Sequence, residues 1–172
     1  QWLLKSVLKN GIRRTGADAL AVKVDCNDDA EVALLGIHPW MHREIDALVL
    51  NHGRYERVAA EDMTIAGLRT TMKTNFEGAV AVWKAVQPHL TASARIVVVG
   101  SQLGTRGSPH GADYSASKAA LAMWARSLAQ AVGPQGKRVN ILAPGFVDTA
   151  ILAGDSKQKR AEREQLVPLK RV

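Results

Sequence analysis

Ser101, Tyr114 and Lys118 are the residues of this chain whose types and spacing best suit chemistry. Tyr114 and Lys118 stand four apart within Tyr-Ser-Ala-Ser-Lys, so a helix there carries them on one face, one above the other. An ammonium beside a phenol favours the phenolate, and the pair is expected to lower the tyrosine pKa from its usual value of about 10. A phenol tuned in that way can exchange a proton with an alcohol or carbonyl oxygen. Ser101, thirteen residues upstream, follows an apolar run and could hold the same oxygen by hydrogen bond. Together the three suit moving a proton while another agent moves a hydride, and a hydride needs a cofactor. A Tyr-x-x-x-Lys pair alone is common on exposed helices. The serine at the end of a buried strand is what separates this set from a chance pair.

The elements that must position these groups alternate along the chain. Leu3, Leu4, Val7 and Leu8 have helical spacing over residues 1–14, and Ala19 to Asp25 reads as a short apolar strand. Asn27-Asp28-Asp29 offers capping oxygens for a helix from about Ala30 to Arg43, with Pro39 breaking or kinking it. Ile45 to Leu50 is a second strand. A long helix follows from about Ile65 to Leu90, with Leu68, Met72, Phe76, Val80 and Trp83 along one side. Arg95 to Gly100 is a continuous Val/Ile strand of the kind buried on both faces. A helix from about Ala112 to Val132, a strand from Lys137 to Ala143 and a short polar helix near Ser156 to Gln165 complete the pattern. Strands alternating with longer helices predict an α/β domain with a parallel sheet. Ligands of such sheets bind beyond the carboxyl ends of the strands, here just after Asp25, Leu50, Gly100 and Ala143.

Composition narrows the classes. Of 172 residues, 23 are Lys or Arg and 16 are Asp or Glu, a net charge of +7, while 47% are apolar. That is enough to build a core and too much for disorder. The cations are scattered and aromatics are only 5%, so no nucleic-acid surface is expected. No apolar run reaches the roughly 20 residues of a membrane span, and no membrane partner is expected. The single Cys26 excludes a disulfide framework and makes a reducing, cytoplasmic setting the expectation. His38 and His42 stand four apart, but Pro39 lies between them and no third ligand is evident, so no metal site is expected. Cys26 reads as a small buried filler. His52 suits the cleft or the packing of a strand end equally, and His110 is a weak candidate for substrate contact.

With these residues in order, the sequence resembles the short-chain dehydrogenase/reductase family over nearly its whole length. The resemblance implies a Rossmann-like doubly wound parallel sheet as a single partial domain over 1–172. It implies a catalytic set of Asn75, Ser101, Tyr114 and Lys118, with Asn75, in Thr-Asn-Phe-Glu-Gly, holding a proton-relay water. Leu50-Asn51-His52-Gly53 falls where the family has Asn-Asn-Ala-Gly and departs from it at Leu50 and His52. Cofactor contacts are implied for Asp25 (adenine), Asn51, Gly53, Tyr114 and Lys118. The Pro-Gly segment along the nicotinamide is implied at Pro144, Gly145, Val147 and Thr149. The implied cofactor is NAD or NADP, which these residues do not distinguish. The implied substrate is a small alcohol or carbonyl compound, as in a 3-oxoacyl-carrier-protein reductase or a related enzyme. A homo-oligomer, dimer or tetramer, is implied too, with Trp83, Met123 and Trp124 at its interface.

The family's Gly-x-x-x-Gly-x-Gly turn is not found in this sequence. The expectation is that the first two strands and the last strand of the family sheet are missing, that the residues given bind dinucleotide poorly, and that they are inactive by themselves. The alternative expectation is a non-catalytic relative with a structural or partner-binding role. Substrate contacts are expected between Thr149 and Pro168, with Ile151 and Leu152 as an apolar wall.

Overall fold

A computed structural model describes residues 16–42, 44–149 and 156–171. Its centre is a parallel three-stranded sheet, β1 (Ile45–Leu50), β2 (Leu90–Val99) and β3 (Arg138–Leu142), in that order. Leu50 pairs with Val98, and Val98 with Ile141, so side chains of equal parity line up across the three strands. Parallel neighbours require crossovers, and right-handed crossovers that step in one direction place their helices on one face of the sheet. The first crossover is a long helical run made of α2 (Ile65–Met72), a π-helical turn (Lys73–Glu77) and α3 (Gly78–Val86). The second is α5 (Ala112–Val132), preceded by the one-turn α4 (Leu103–Arg106). Both long helices pack on the face that carries Leu50, Ala94, Ile96 and Val98, where Ala79, Trp83, Leu121, Ala125 and Val132 complete the buried core. The alternate side chains, Val49, Val97, Val99 and Leu142, line a cleft instead. α1 (Asp29–Gly36) lies before β1, and α6 (Lys157–Leu166) lies after β3.

Local chemistry explains where the elements start and stop. Asp28 caps α1 by accepting from the amides of Ala30 and Glu31. The helix ends at Gly36, and Pro39 opens a separate 3-10 turn (Pro39–His42), which is the expected break. Thr64 caps α2 and Ser156 caps α6 through their hydroxyls. β1 and α5 have the bounds read from the sequence. β2 begins earlier than expected, at Leu90, because an irregularity between Ile45 and Ala47 lets both Leu90 and Arg95 pair with β1.

Three expectations change. Ala19 to Asp25 forms no strand; Leu20 and Val22 are 41% and 40% exposed, and no strand among the described residues pairs with it. The buried stripe of the long helix is Thr71, Asn75, Ala79, Trp83 and Val86, while Leu68, Met72, Phe76 and Val80 are only half-buried. A four-residue row drifts around a regular α-helix, and the wider π turn at Asn75 takes up that drift. Trp83 belongs to the core of this chain and is 5% exposed, so it is a packing residue and presents almost no surface of its own. Trp124 packs half-buried on the same core, and Met123 stays exposed. The expected helix over 1–14 and the wall of Ile151 and Leu152 lie outside the described residues. No helix among the described residues is long and apolar enough to cross a membrane.

Candidate active site

A cleft of about 600 Å³ opens at the carboxyl ends of the three strands. Each strand delivers its following loop to it: Asn51 to Tyr55 after β1, Gly100 to Leu103 after β2, and Pro144 to Thr149 after β3, with Phe146 among them. α5 adds Tyr114 and Lys118, one turn apart, and α6 adds Arg163. On α5 the row Asp113, Ser117, Leu121 and Ala125 is buried against the core. The adjacent row carries Tyr114 and Lys118 and meets the cleft.

Hydrogen bonds fix this arrangement. Lys118 is 4% exposed, and its ammonium donates to the carbonyl of Val99 at 2.9 Å and stands 5.8 Å from the Tyr114 ring centroid. Ser101 lies beside the Tyr114 phenol, near enough to act on its titration, and its hydroxyl accepts from the Leu103 amide at 3.2 Å. Tyr55 packs edge-on against Tyr114, with centroids 5.0 Å apart, and donates to the His110 carbonyl at 2.9 Å. That contact needs glycine at 111: φ is +153°, and a Cβ there would stand 2.8 Å from the Tyr55 ring. Asn75 is fully buried within the π turn, a local form found often at functional sites. Its Oδ1 accepts from the Arg54 amide at 2.7 Å, and its Nδ2 donates to the Arg54 carbonyl at 3.0 Å and to Ser117 Oγ at 2.9 Å. Ser117 in turn donates to the Tyr114 carbonyl at 2.7 Å. Thr71 and Asp113 join α2 to α5 through a second buried bond of 2.6 Å.

The electrostatics correct one expectation. Burial pushes the Tyr114 phenol above its ordinary value of 10; the Ser101 bond pulls it partly back, and the Tyr55 phenol adds a further upward push. The neighbouring lysine does not reverse this, because its ammonium is aimed at the Val99 carbonyl and not at the phenol oxygen. Burial also lowers Lys118 below its ordinary value. His52 is held below 6.5 by burial and then by the charge of Lys118, against an upward pull from a hydrogen bond with the Thr74 backbone.

The cleft thus collects Asn51, Gly53, Ser101, Tyr114, Lys118, Pro144, Gly145, Val147 and Thr149. The profile of the short chain dehydrogenase family matches residues 4–160. The chain belongs to the short-chain dehydrogenase family.

Among its relatives is the cis-4-hydroxycyclohexanecarboxylate dehydrogenase of Sinomonas cyclohexanicum, 33% identical over 94% of this chain and 66% of that protein. The 3-oxoacyl-acyl-carrier-protein reductase FabG of Chlamydia muridarum is 35% identical over 74% of this chain and 52% of its own length. The chain therefore spans about half to two-thirds of the length of these curated relatives. A short chain dehydrogenase from Burkholderia cenocepacia, solved in complex with NADP, superposes with a TM-score of 0.87 at 30% identity, over 96% of this chain and 68% of that one. A putative NAD(P) dependent gluconate 5-dehydrogenase from Beutenbergia cavernae with bound NADP gives 0.88 at 31%, over 98% and 69%. The family is one of oxidoreductases that bind a nicotinamide cofactor on a Rossmann fold.

Two of the expected site residues lie off the cleft of this short-chain dehydrogenase. Asn75 sits behind it, tied to the loop after β1. Asp25 directs its carboxylate at Asn27, accepting from that residue's backbone and side-chain nitrogens, and does not line the cleft. The side chains of His38 and His110 are elsewhere too: His38 Nδ1 accepts from the Trp40 amide, and His110 is not among the lining residues. Sequence reasoning passed over Tyr55, Arg54, Gln102, Phe146 and Arg163, all of which line the cleft. Tyr55 had a signal, since it follows the end of β1 by five residues. Arg163 falls within the Thr149 to Pro168 stretch where substrate contacts are expected, but only the packing of α6 singles it out.

Proposed function

We propose that the whole protein is an NAD(P)-dependent dehydrogenase or reductase acting at a secondary alcohol or carbonyl carbon, with Tyr114 as general acid/base. The observation that carries this reading is that Ser101, Tyr114 and Lys118 come together as walls of one cleft. A bare Tyr-x-x-x-Lys face on a solvated helix would have neither the serine nor the cleft.

The residues present suit a nicotinamide cofactor. Gly53 keeps the cradle open: a Cβ there would approach Asn75 Oδ1 to 3.2 Å and Lys118 Nζ to 3.5 Å. Asn51, Gly53, Tyr114, Lys118, Pro144, Gly145, Val147 and Thr149 would hold the cofactor, whose bound nicotinamide supplies or accepts the hydride. The chain's own residues handle the proton. Ser101 polarises the substrate oxygen and shares its hydrogen bond with the phenol. Tyr114, kept protonated by burial, donates its proton to that oxygen during reduction and takes one from it during oxidation. Lys118 supplies a fixed cation behind the phenol that favours the proton-depleted state once it forms. Asn75 positions the loop after β1 and, through Ser117, the first turn of α5 that carries Tyr114. The substrate class that fits is a small alcohol or ketone, in the manner of a 3-oxoacyl-carrier-protein reductase or a related carbonyl reductase.

The test is Tyr114→Phe in the full-length protein. General acid–base catalysis is worth roughly 10²- to 10⁴-fold, so kcat is expected to fall by about that factor. Turnover equal to that of the parent would sink the assignment.

A further inference from the structure

Tyr55 stands beside the phenol on which the proposed chemistry turns, and its own place is fixed at both ends. At its root, Asn75 holds residue 54 by both amide and carbonyl. At its tip, the Tyr55 hydroxyl donates to the His110 carbonyl at 2.9 Å. The loop that offers this carbonyl is tied to the same segment a second time, since the Ala60 amide donates to the Pro109 carbonyl at 2.9 Å. One residue further on, Gly111 leaves the room that the Tyr55 ring occupies. Between these fixed ends the ring meets that of Tyr114 at an interplanar angle of 76°, with centroids 5.0 Å apart. A helix sets the Cα and Cβ of Tyr114 but not its ring plane, because the last torsion of a tyrosine is broad. The plane matters for proton transfer: conjugation keeps a phenol O–H in the plane of its ring. A T-shaped neighbour favours one plane over others by roughly 2- to 10-fold. Tyr55 is not itself placed to act as the acid, because its O–H is spent on the His110 carbonyl.

We propose that Tyr55 is a positioning residue: held between the backbone at residue 54 and the His110 carbonyl, it sets the ring plane of Tyr114 and so the direction in which the phenol gives or takes its proton. The consequence for turnover rests on the function proposed above; the setting of the ring does not.

Two variants of the full-length protein separate the parts of this device. Tyr55→Phe removes only the hydroxyl anchor, and Tyr55→Leu removes the ring as well. With tyrosine carbon-13 labelled at the ring ε carbons, nuclear magnetic resonance reads the flip rate of Tyr114, whose signal is the one that Tyr114→Phe deletes. Flipping is expected to quicken about twofold or more in Tyr55→Phe and about tenfold in Tyr55→Leu. Reduction of cyclohexanone and of ethyl acetoacetate, with NADH and with NADPH, reads the consequence. In Tyr55→Leu kcat is expected to fall roughly 10- to 100-fold, the scale of a misplaced reacting group. In Tyr55→Phe, which keeps the ring, the fall is expected to stay under about tenfold, with a larger solvent deuterium isotope effect than the parent's in both variants. Flipping at the parent's rate in Tyr55→Phe overturns the proposal, and that result decides even where Tyr55→Leu does not fold. A fall in kcat with an unchanged solvent isotope effect also overturns it, because the loss is then structural. So does a loss in Tyr55→Phe as deep as that in Tyr114→Phe, since Tyr55 is then an acid in its own right. If the flip rates respond as expected and the parent reduces neither ketone with either cofactor, the setting of the ring stands and the failure belongs to the oxidoreductase reading.

Discussion

Asn75→Ala tests whether the asparagine of the π turn holds the site together. The side chain is fully buried and makes three hydrogen bonds, two to the backbone of Arg54 and one to Ser117. A net value of about 1 kcal/mol for each gives a loss near 3 kcal/mol. The Ser117 share is the smaller, because that hydroxyl keeps the Tyr114 carbonyl as its acceptor. The Arg54 share is the larger, since its amide and carbonyl are both left without their partner in a part-buried loop. For a domain of this size, 3 kcal/mol corresponds to a fall in Tm of roughly 6 to 12 °C. Thermal and denaturant unfolding of the full-length protein measure the loss. Hydrogen exchange at the Arg54 amide locates it, with protection there expected to fall before that of the β2 amides. A destabilisation under about 1 kcal/mol with Arg54 protection unchanged would refute the clamp and leave Asn75 with no role but a chemical one.

Two further perturbations probe the same neighbourhood. His52 is depressed below 6.5 in the fold, so below that pH the unfolded chain takes up a proton that the native state refuses. Stability is therefore present above pH 6.5 and lost as pH falls towards the folded value, by at most about 1.4 kcal/mol per pH unit. The Tm of His52→Gln is expected to vary less with pH than the parent's from about pH 8 to about pH 5, and parallel curves would count against the idea. Gly111→Ala puts a methyl 2.8 Å from a Tyr55 ring already held by its hydroxyl and by Tyr114, at a φ of +153°. A cost of about 1–3 kcal/mol is expected, read by denaturant unfolding together with a changed tyrosine signal in near-ultraviolet circular dichroism. An unchanged free energy would show that the ring yields freely.

How much of this could be read beforehand depends on whether a residue's fate is set locally. Ile45 to Leu50 and Ala112 to Val132 were legible to the residue because apolar runs and helical spacing are local properties. Pro39 announced its break for the same reason. Ala19 to Asp25 has the composition of a strand, yet a strand exists only through hydrogen bonds to a neighbour, and composition is silent on whether one is there. The buried stripe of the long helix was misplaced by one residue at Met72, Phe76 and Val80, because two of the residues actually buried, Thr71 and Asn75, are polar and a row of apolar positions does not show them.

The cleft shows the same division at the level of chemistry. Ser101, Tyr114 and Lys118 could be grouped because the serine ends a strand and the other two share a helix face. Their electrostatic relation could not be read, since it turns on where the ammonium points. Val99, the last residue of β2, offers a carbonyl at 2.9 Å, and the charge goes there. The phenol is then governed by burial and by Ser101, and its pKa moves up where proximity alone would have moved it down. A raised phenol is a proton donor held ready, which suits the reductive direction of the proposed reaction. In the oxidative direction of the proposed reaction the phenolate must draw on a nearby cation, and Lys118, one turn away on the same helix and fixed on Val99, is the one beside it.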